Sequence, residues 1–200
     1  MNKLMLALIR HGKTEANEKH LYCGKSNIPL SENGIKELND IKNSIKYPEY
    51  NKFFSSGAKR ANETLEILYP KKVYDEINEF WEYDFGDFEM KSYDMLKENK
   101  EYINWITDKD GQVSCPNGES KIQYRERIKE AFNKFIEKCY KEGIGTVVLV
   151  CHGGTIGTIL EIFYDCSKSF YEHQPACGRG YTLTLEKKHK GFEIINIDNM

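Results

Sequence analysis

Two apolar runs of this chain end in the same way. LMLALI (4–9) runs into Arg10-His11-Gly12, and TVVLVC (146–151) runs into His152-Gly153-Gly154. A third run, NKFFSS (51–56), leads into Gly57-Ala58-Lys59-Arg60. In each case chemically capable side chains follow directly on a segment apolar enough to be buried, and the glycines beside the histidines let backbone approach a ligand closely. Two guanidinium groups and two imidazoles gathered at helix N-termini would make an anion pocket. Guanidinium forks match phosphate oxygens in pairs, and helix N-terminal amides add donors. A neutral histidine in such a pocket can attack phosphorus. Neighbouring positive charge keeps its pKa low, so its lone pair is available near neutral pH. The same charge stabilises the equatorial oxygens at the transition state.

Such a site also needs an acid to protonate the departing alkoxide and afterwards to activate water. The aromatic-rich stretch NEFWEYDFGDFEM offers Glu79, Glu82, Asp84, Asp87 and Glu89. Pattern alone does not choose among them; the flanking Trp81 and Tyr83 favour Glu82 by desolvation, and only weakly.

These groups need a scaffold. After the strand at 4–9, Ile35, Leu38, Ile41 and Ile45 recur at helical spacing behind Ser31, a plausible N-cap. NKFFSS reads as a second strand, and AKRANETLEILY as a helix with Ala61, Leu65 and Leu68 on one face and Arg60 in its first turn. Residues 73–96 read as irregular. Ser120 and Gln123 have the spacing of a capping box, opening a long helix whose stripe is Ile128, Phe132, Phe135, Ile136 and Cys139, ended by Gly143. TVVLVC is a continuous strand, with Cys151 facing the core on the side opposite His152. GGTIGTILEIFY reads as a helix, and YTLTLE and FEIINI as closing strands. Strands apolar on both faces, alternating with amphipathic helices, predict an α/β/α three-layer fold with a mostly parallel central sheet. Such sheets bind ligands beyond the carboxyl ends of their strands.

Composition narrows the partners. The 200 residues suit one domain, 1–200, and no linker, repeat or compositional shift divides them. A net charge of −2 gives no global reason to expect nucleic acid or a membrane surface. The run in MNKLMLALIR is too short to span a bilayer and no cleavage site follows it. The six cysteines form no CxxC pair, which suits reduced thiols in a cytoplasmic protein. The five histidines show no HxH or HExxH spacing and the acidic residues form no carboxylate cage, so neither a metal nor another cofactor is expected. The implied partner is a small phosphorylated metabolite. The oligomeric state, a homodimer included, is left open.

In order, LIRHGKTEAN, SSGAKRANET, FWEYDFGDFEM and LVCHGGTIG resemble the four signature segments of the histidine phosphatase superfamily, which includes cofactor-dependent phosphoglycerate mutase. The resemblance covers nearly the whole chain and implies a phosphoglycerate mutase-like fold. It implies that His11 is the nucleophile that becomes phosphohistidine. Arg10, Arg60 and His152 would hold the phosphoryl group, with help from Asn17 and the Gly153 amide. Glu82, three residues before Phe85-Gly86, matches the proton donor. LYCGKSNIPLSENG matches a loop that lines the site through Cys23 and Gly24. Departures are Lys13, where the family usually has Glu or Gln, which would make the pocket more cationic; Asn27 in place of Asp; and Phe88 and Met90 in place of Trp and Gly. The stretch between Glu82 and His152 is short for the mutases, which carry an insertion there, so a hydrolase is favoured over a mutase. GDFEM and INWITDKDGQVSCPNGES are similar to the α-ribazole phosphatases of the family, which act in assembly of the cobalamin nucleotide loop. A broader sugar or small-metabolite phosphatase is the alternative. The intact His, Arg and Glu set argues against a non-catalytic phosphate binder on the same fold.

Overall fold

The computed structural model describes residues 2–200. A six-stranded sheet has the order β3-β2-β4-β1-β5-β6, with β1 Lys3–Arg10, β2 Lys52–Ser55, β3 Asp75–Glu76, β4 Thr146–Cys151, β5 Gly180–Lys187 and β6 Phe192–Asn199. The β3-β2-β4-β1 pairings are parallel, and β5 and β6 are added antiparallel. The sheet is thus mostly parallel, as expected. Its central strands alternate with period two yet are apolar on both faces. Leu4, Leu6 and Leu8 of β1 join Val147, Leu149 and Cys151 of β4 in one core cluster. Ala7 and Ile9 join Val148 and Val150 in the other. Helices must therefore cover both sides.

The second of these faces is covered by α2 (Glu32–Ser44) and α3 (Lys59–Leu68), through Leu38, Ala61, Leu65 and Leu68. The first is covered by α6 (Lys121–Lys141) and α7 (Gly153–Phe163), through Ile128, Phe132, Phe135, Ile136, Cys139, Ile156 and Ile159. The crossovers leaving β1 and β4 thus pass over opposite faces, which opens a crevice beyond the carboxyl ends of these neighbouring strands. Ser31 caps α2 and the Ser120–Gln123 capping box opens α6, as their spacing predicts.

Other elements depart from the sequence pattern. Ile35 is 40% exposed rather than part of the buried face of α2. Short helices α1 (Glu15–Glu18) and α4 (Tyr93–Leu96), two 3-10 turns (Asn78–Phe80 and Gly86–Phe88) and α5 (Lys100–Thr107) occupy stretches that carry little periodic signal. α5 is fixed by packing: Tyr102 and Trp105 insert among Tyr22, Phe85 and Phe88.

Leu149 is fully buried at the centre of the sheet. Leu149→Ala should cost about 3 kcal/mol in urea unfolding, because the cavity adds to the lost transfer energy. A loss under about 1 kcal/mol would contradict this placement of the core.

Candidate active site

β1 and β4 are paired with Arg10 opposite Cys151, so the residues that follow, His11 and His152, emerge side by side. The His11 N–H donates to Cys151 O at 3.0 Å, and the Ser56 N–H to Val150 O at 3.0 Å, which carries both ladders just past the strands. The two imidazole centroids lie 5.2 Å apart at 65°. The equivalence visible in the sequence is therefore a register in the sheet.

His11 is 6% exposed, and its Nδ1 is 2.7 Å from Gly12 O. A carbonyl only accepts, so Nδ1 carries the hydrogen and Nε2 keeps its lone pair. Nε2 has no hydrogen-bond partner among the described residues. His152 is fully buried, with Nε2 2.8 Å from Ser56 Oγ. The Ala58 N–H donates to that same Oγ at 3.4 Å, which takes one of the hydroxyl's two lone pairs; either the Ser56 proton or an Nε2 hydrogen closes the contact with the imidazole. Burial holds both imidazoles well below their ordinary pKa, aided by the positive charge of Arg60 and Arg10.

Arg60 stands in the first turn of α3 and is 1% exposed. Its Nη1 donates to Ser26 O at 2.9 Å and its Nη2 to Gly24 O at 2.8 Å. No side chain of its own N-cap, Ala58, serves α3; instead Asn27 Oδ1 accepts the Lys59 N–H at 2.7 Å. The Arg10 Nη1 donates to Pro175 O at 2.9 Å. A Cβ at position 153 would lie 2.9 Å from the Arg10 Cζ, so glycine there lets the guanidinium lie against the start of α7.

Four buried side-chain polar atoms lack partners among the described residues: Arg10 Nε, Arg60 Nε, His152 Nδ1 and, elsewhere, Tyr140 OH. A buried donor without a partner costs about 1–3 kcal/mol. Three unpartnered nitrogens on residues converging from β1, α3 and the end of β4 could bind an anion rich in acceptor oxygens.

Glu82 is the acidic residue that reaches this rim. Its Oε2 accepts from the Gly154 N–H at 2.8 Å, and its Oε1 from the Tyr83 N–H at 3.0 Å and the Tyr124 hydroxyl at 2.6 Å. The other carboxylates of the stretch do different work. Asp84 accepts from Gly86 N, Asp87 from Asn117, and Glu79 is exposed. Glu89 accepts from the N–H groups of Gly24, Lys25, Ser26 and Phe85 and from the Ser26 hydroxyl. It thereby shapes the loop whose carbonyls hold Arg60. Arg127 donates to the carbonyls of Glu79, Trp81 and Glu82 while forming a two-pronged pair with Glu119. Sequence reasoning missed Glu89, Glu119, Arg127 and Tyr124 in these roles. The one visible signal was a carboxylate among aromatics, shared by five residues.

Gly24 packs so tightly that a Cβ would fall 1.5 Å from Tyr83 O. Cys23 adjoins it, half-buried, with Sγ 3.6 Å from Ser26 O and its thiol pushed up by burial. Asn17 spends its Oδ1 on Thr14, closing the capping box of α1. Lys13 adds no charge to the pocket: its ammonium turns to α2 and pairs with Glu37 at 2.8 Å. Met90, at a position the family gives to glycine, adopts φ +59°. Cys151 lies in the core cluster, its thiol pushed up by burial.

Burial of two neutral imidazoles sets a pH dependence. The unfolded chain binds protons on them near 6.5, whereas the folded chain does so only at lower pH. Their contribution to stability is therefore full above about 6.5 and is lost as pH falls toward the depressed folded values. Urea unfolding should show stability declining below about pH 6.5, with a shallower slope in His152→Gln. An identical slope in that variant would contradict the neutral burial of His152.

The chain resembles known proteins over most of its length. An adenosylcobalamin/alpha-ribazole phosphatase of Salmonella typhimurium is 28% identical over 166 residues, 78% of either chain. A 2,3-bisphosphoglycerate-dependent phosphoglycerate mutase of Parvibaculum lavamentivorans is also 28% identical, over 165 residues covering 78% of either chain. Among solved structures, an alpha-ribazole phosphatase from Shigella flexneri superposes with TM-score 0.79 at 24% identity, covering 98% of this chain and 96% of that one. The fold is thus phosphoglycerate mutase-like. The family model of the histidine phosphatase superfamily (branch 1) matches residues 6–199, nearly end to end, and the chain belongs to that superfamily.

Proposed function

We propose that the chain is a phosphomonoester hydrolase working through a phosphohistidine, with residues 1–200 forming one catalytic domain. The observation that carries this reading is the convergence of three unpartnered buried side-chain nitrogens beside a neutral imidazole whose Nε2 is free. Nε2 of His11 attacks phosphorus as the bond to the leaving oxygen breaks. Arg10, Arg60, His152 and the Gly153 amide at the start of α7 bind the phosphoryl oxygens and their developing charge. Glu82 gives its proton to the leaving oxygen and then takes one from the water that cleaves the phosphohistidine. Asn17, Cys23 and Gly24 complete the substrate-binding rim. Burial and neighbouring cations, which keep His11 neutral, support the nucleophilic role.

The chemistry needs no metal in this reading. Among the described residues, no three His, Cys, Asp or Glu side chains gather as metal ligands. The substrate we favour is α-ribazole 5′-phosphate, supported by the similarity to phosphatases named for it. A phosphoglycerate mutase is the second reading, favoured by relatives of comparable identity. The partner is then a small phosphorylated metabolite, not nucleic acid or a membrane. No helix among the described residues is long and apolar enough to cross a bilayer. We place the protein in the cytoplasm; a homodimer is compatible with this reading and nothing in it depends on one.

A turnover panel of α-ribazole 5′-phosphate, 3-phosphoglycerate and sugar phosphates, run in EDTA, tests both levels. The expected result is hydrolysis that persists in EDTA, with kcat/KM for α-ribazole 5′-phosphate about tenfold or more above the rest. Preference for 3-phosphoglycerate or a sugar phosphate would replace the substrate and leave the chemistry intact. Complete loss in EDTA, restored by a divalent ion, would overturn the metal-free mechanism.

A further inference from the structure

The two oxygens of Glu82 are held unequally. Oε1 accepts two donors, the Tyr83 N–H at 3.0 Å and the Tyr124 hydroxyl at 2.6 Å, while Oε2 accepts only the Gly154 N–H at 2.8 Å. A carboxylate oxygen accommodates about two donors. Oε1 is therefore filled and Oε2 keeps one lone pair. Tyr124, on α6, is 5% exposed, and burial beside the Glu82 carboxylate pushes its phenol well above the ordinary range, so it donates and does not ionise. Its oxygen lies 3.1 Å from Thr155 Oγ1 in the first turn of α7, and Thr155 Oγ1 lies 3.3 Å from Phe80 O. Thr155 has one proton to give, shared among Tyr124 and the Phe80 and Trp81 carbonyls, and it can otherwise accept from Tyr124. The shorter contact with Glu82 marks the carboxylate as the acceptor.

We propose that Tyr124 is a positioning residue that confines the exchangeable proton of Glu82 to Oε2, with Thr155 orienting Tyr124. This rests on Glu82 being the acid of the proposed reaction. The O–H bond at Oε2 breaks as the P–O bond breaks; the proton goes to the leaving oxygen, which keeps that bond's electron pair. The carboxylate so formed retains its three donors, and in the second half-reaction the same Oε2 takes a proton from water. Without the phenol, Oε1 gains a free lone pair, and the proton divides between the two oxygens.

Leaving-group dependence reads this directly. A p-nitrophenolate departs without a proton, whereas an alkoxide needs one. Tyr124→Phe should lower kcat/KM for glycerol 2-phosphate about tenfold and that for p-nitrophenyl phosphate by less than about twofold, with the variant folded and its melting temperature lowered only by the lost hydrogen bond. Thr155→Val should show a smaller loss of the same selectivity, and Thr155→Ser should behave as wild type. Thr155→Val also tests the arrangement if Tyr124→Phe fails to fold. Glu82→Gln, measured in parallel, should lose about 100-fold on glycerol 2-phosphate and much less on the aryl ester. If Glu82→Gln is selective while Tyr124→Phe loses both substrates equally, or neither, the role of Tyr124 is wrong. If Glu82→Gln shows no selectivity, the acid role of Glu82 falls and this proposal falls with it.

Discussion

The parallel pairing of β1 with β4 is the constraint on which the site depends. With Arg10 opposite Cys151, the next backbone bond, His11 N–H to Cys151 O, sets the two imidazoles beside each other. A slip of one residue would turn Leu4, Leu6 and Leu8 from one core cluster toward the other, so register and the placement of the two histidines are fixed by the same apolar pattern. Core packing and the placement of His11 and His152 are one fact seen from two sides.

That placement creates an electrostatic problem, which the surroundings solve. Two guanidinium groups and two imidazoles are gathered at the buried end of a sheet, where charge is costly. The imidazoles respond by staying neutral. Arg60 is held by the carbonyls of Gly24 and Ser26, and Glu89 in turn fixes the backbone that presents them. On the other side, Arg127 and Glu119 fasten the segment that carries Glu82. The groups proposed to meet the phosphoryl unit are thus few: Arg10 and His11 are held by backbone carbonyls, His152 by the Ser56 hydroxyl, and Arg60 and Glu82 by segments that Glu89, Glu119 and Arg127 fasten. Such bracing keeps donors aimed where charge develops, with little reorganisation during reaction.

Legibility in the sequence followed the range of the interactions. His11 and His152 could be found because each directly follows a strand, and Arg60 because it opens the helix after one; strands announce themselves locally. The Ser120–Gln123 cap and the stripe of α6 were legible for the same reason. Glu82 could not be chosen from five carboxylates by pattern, because what distinguishes it is contact with Gly154 and Tyr124, far along the chain. Glu89 and Arg127 were invisible on the same grounds. Lys13 misled because its partner, Glu37, is 24 residues away, on α2. Asn27 proved to cap α3 from another loop, a role no local window contains. α5 escaped notice because aromatic packing rather than periodicity defines it.

The proposed reaction requires that His11 become covalently phosphorylated during turnover. The most direct measurement is an alkaline quench of enzyme mixed with a phosphomonoester, followed by mass spectrometry of the peptide containing His11. A single added phosphoryl group is expected on His11, stable in alkali, lost in acid and absent from His11→Ala. Turnover by wild-type enzyme with no phosphorylated histidine at any time, or steady turnover by His11→Ala, would contradict it.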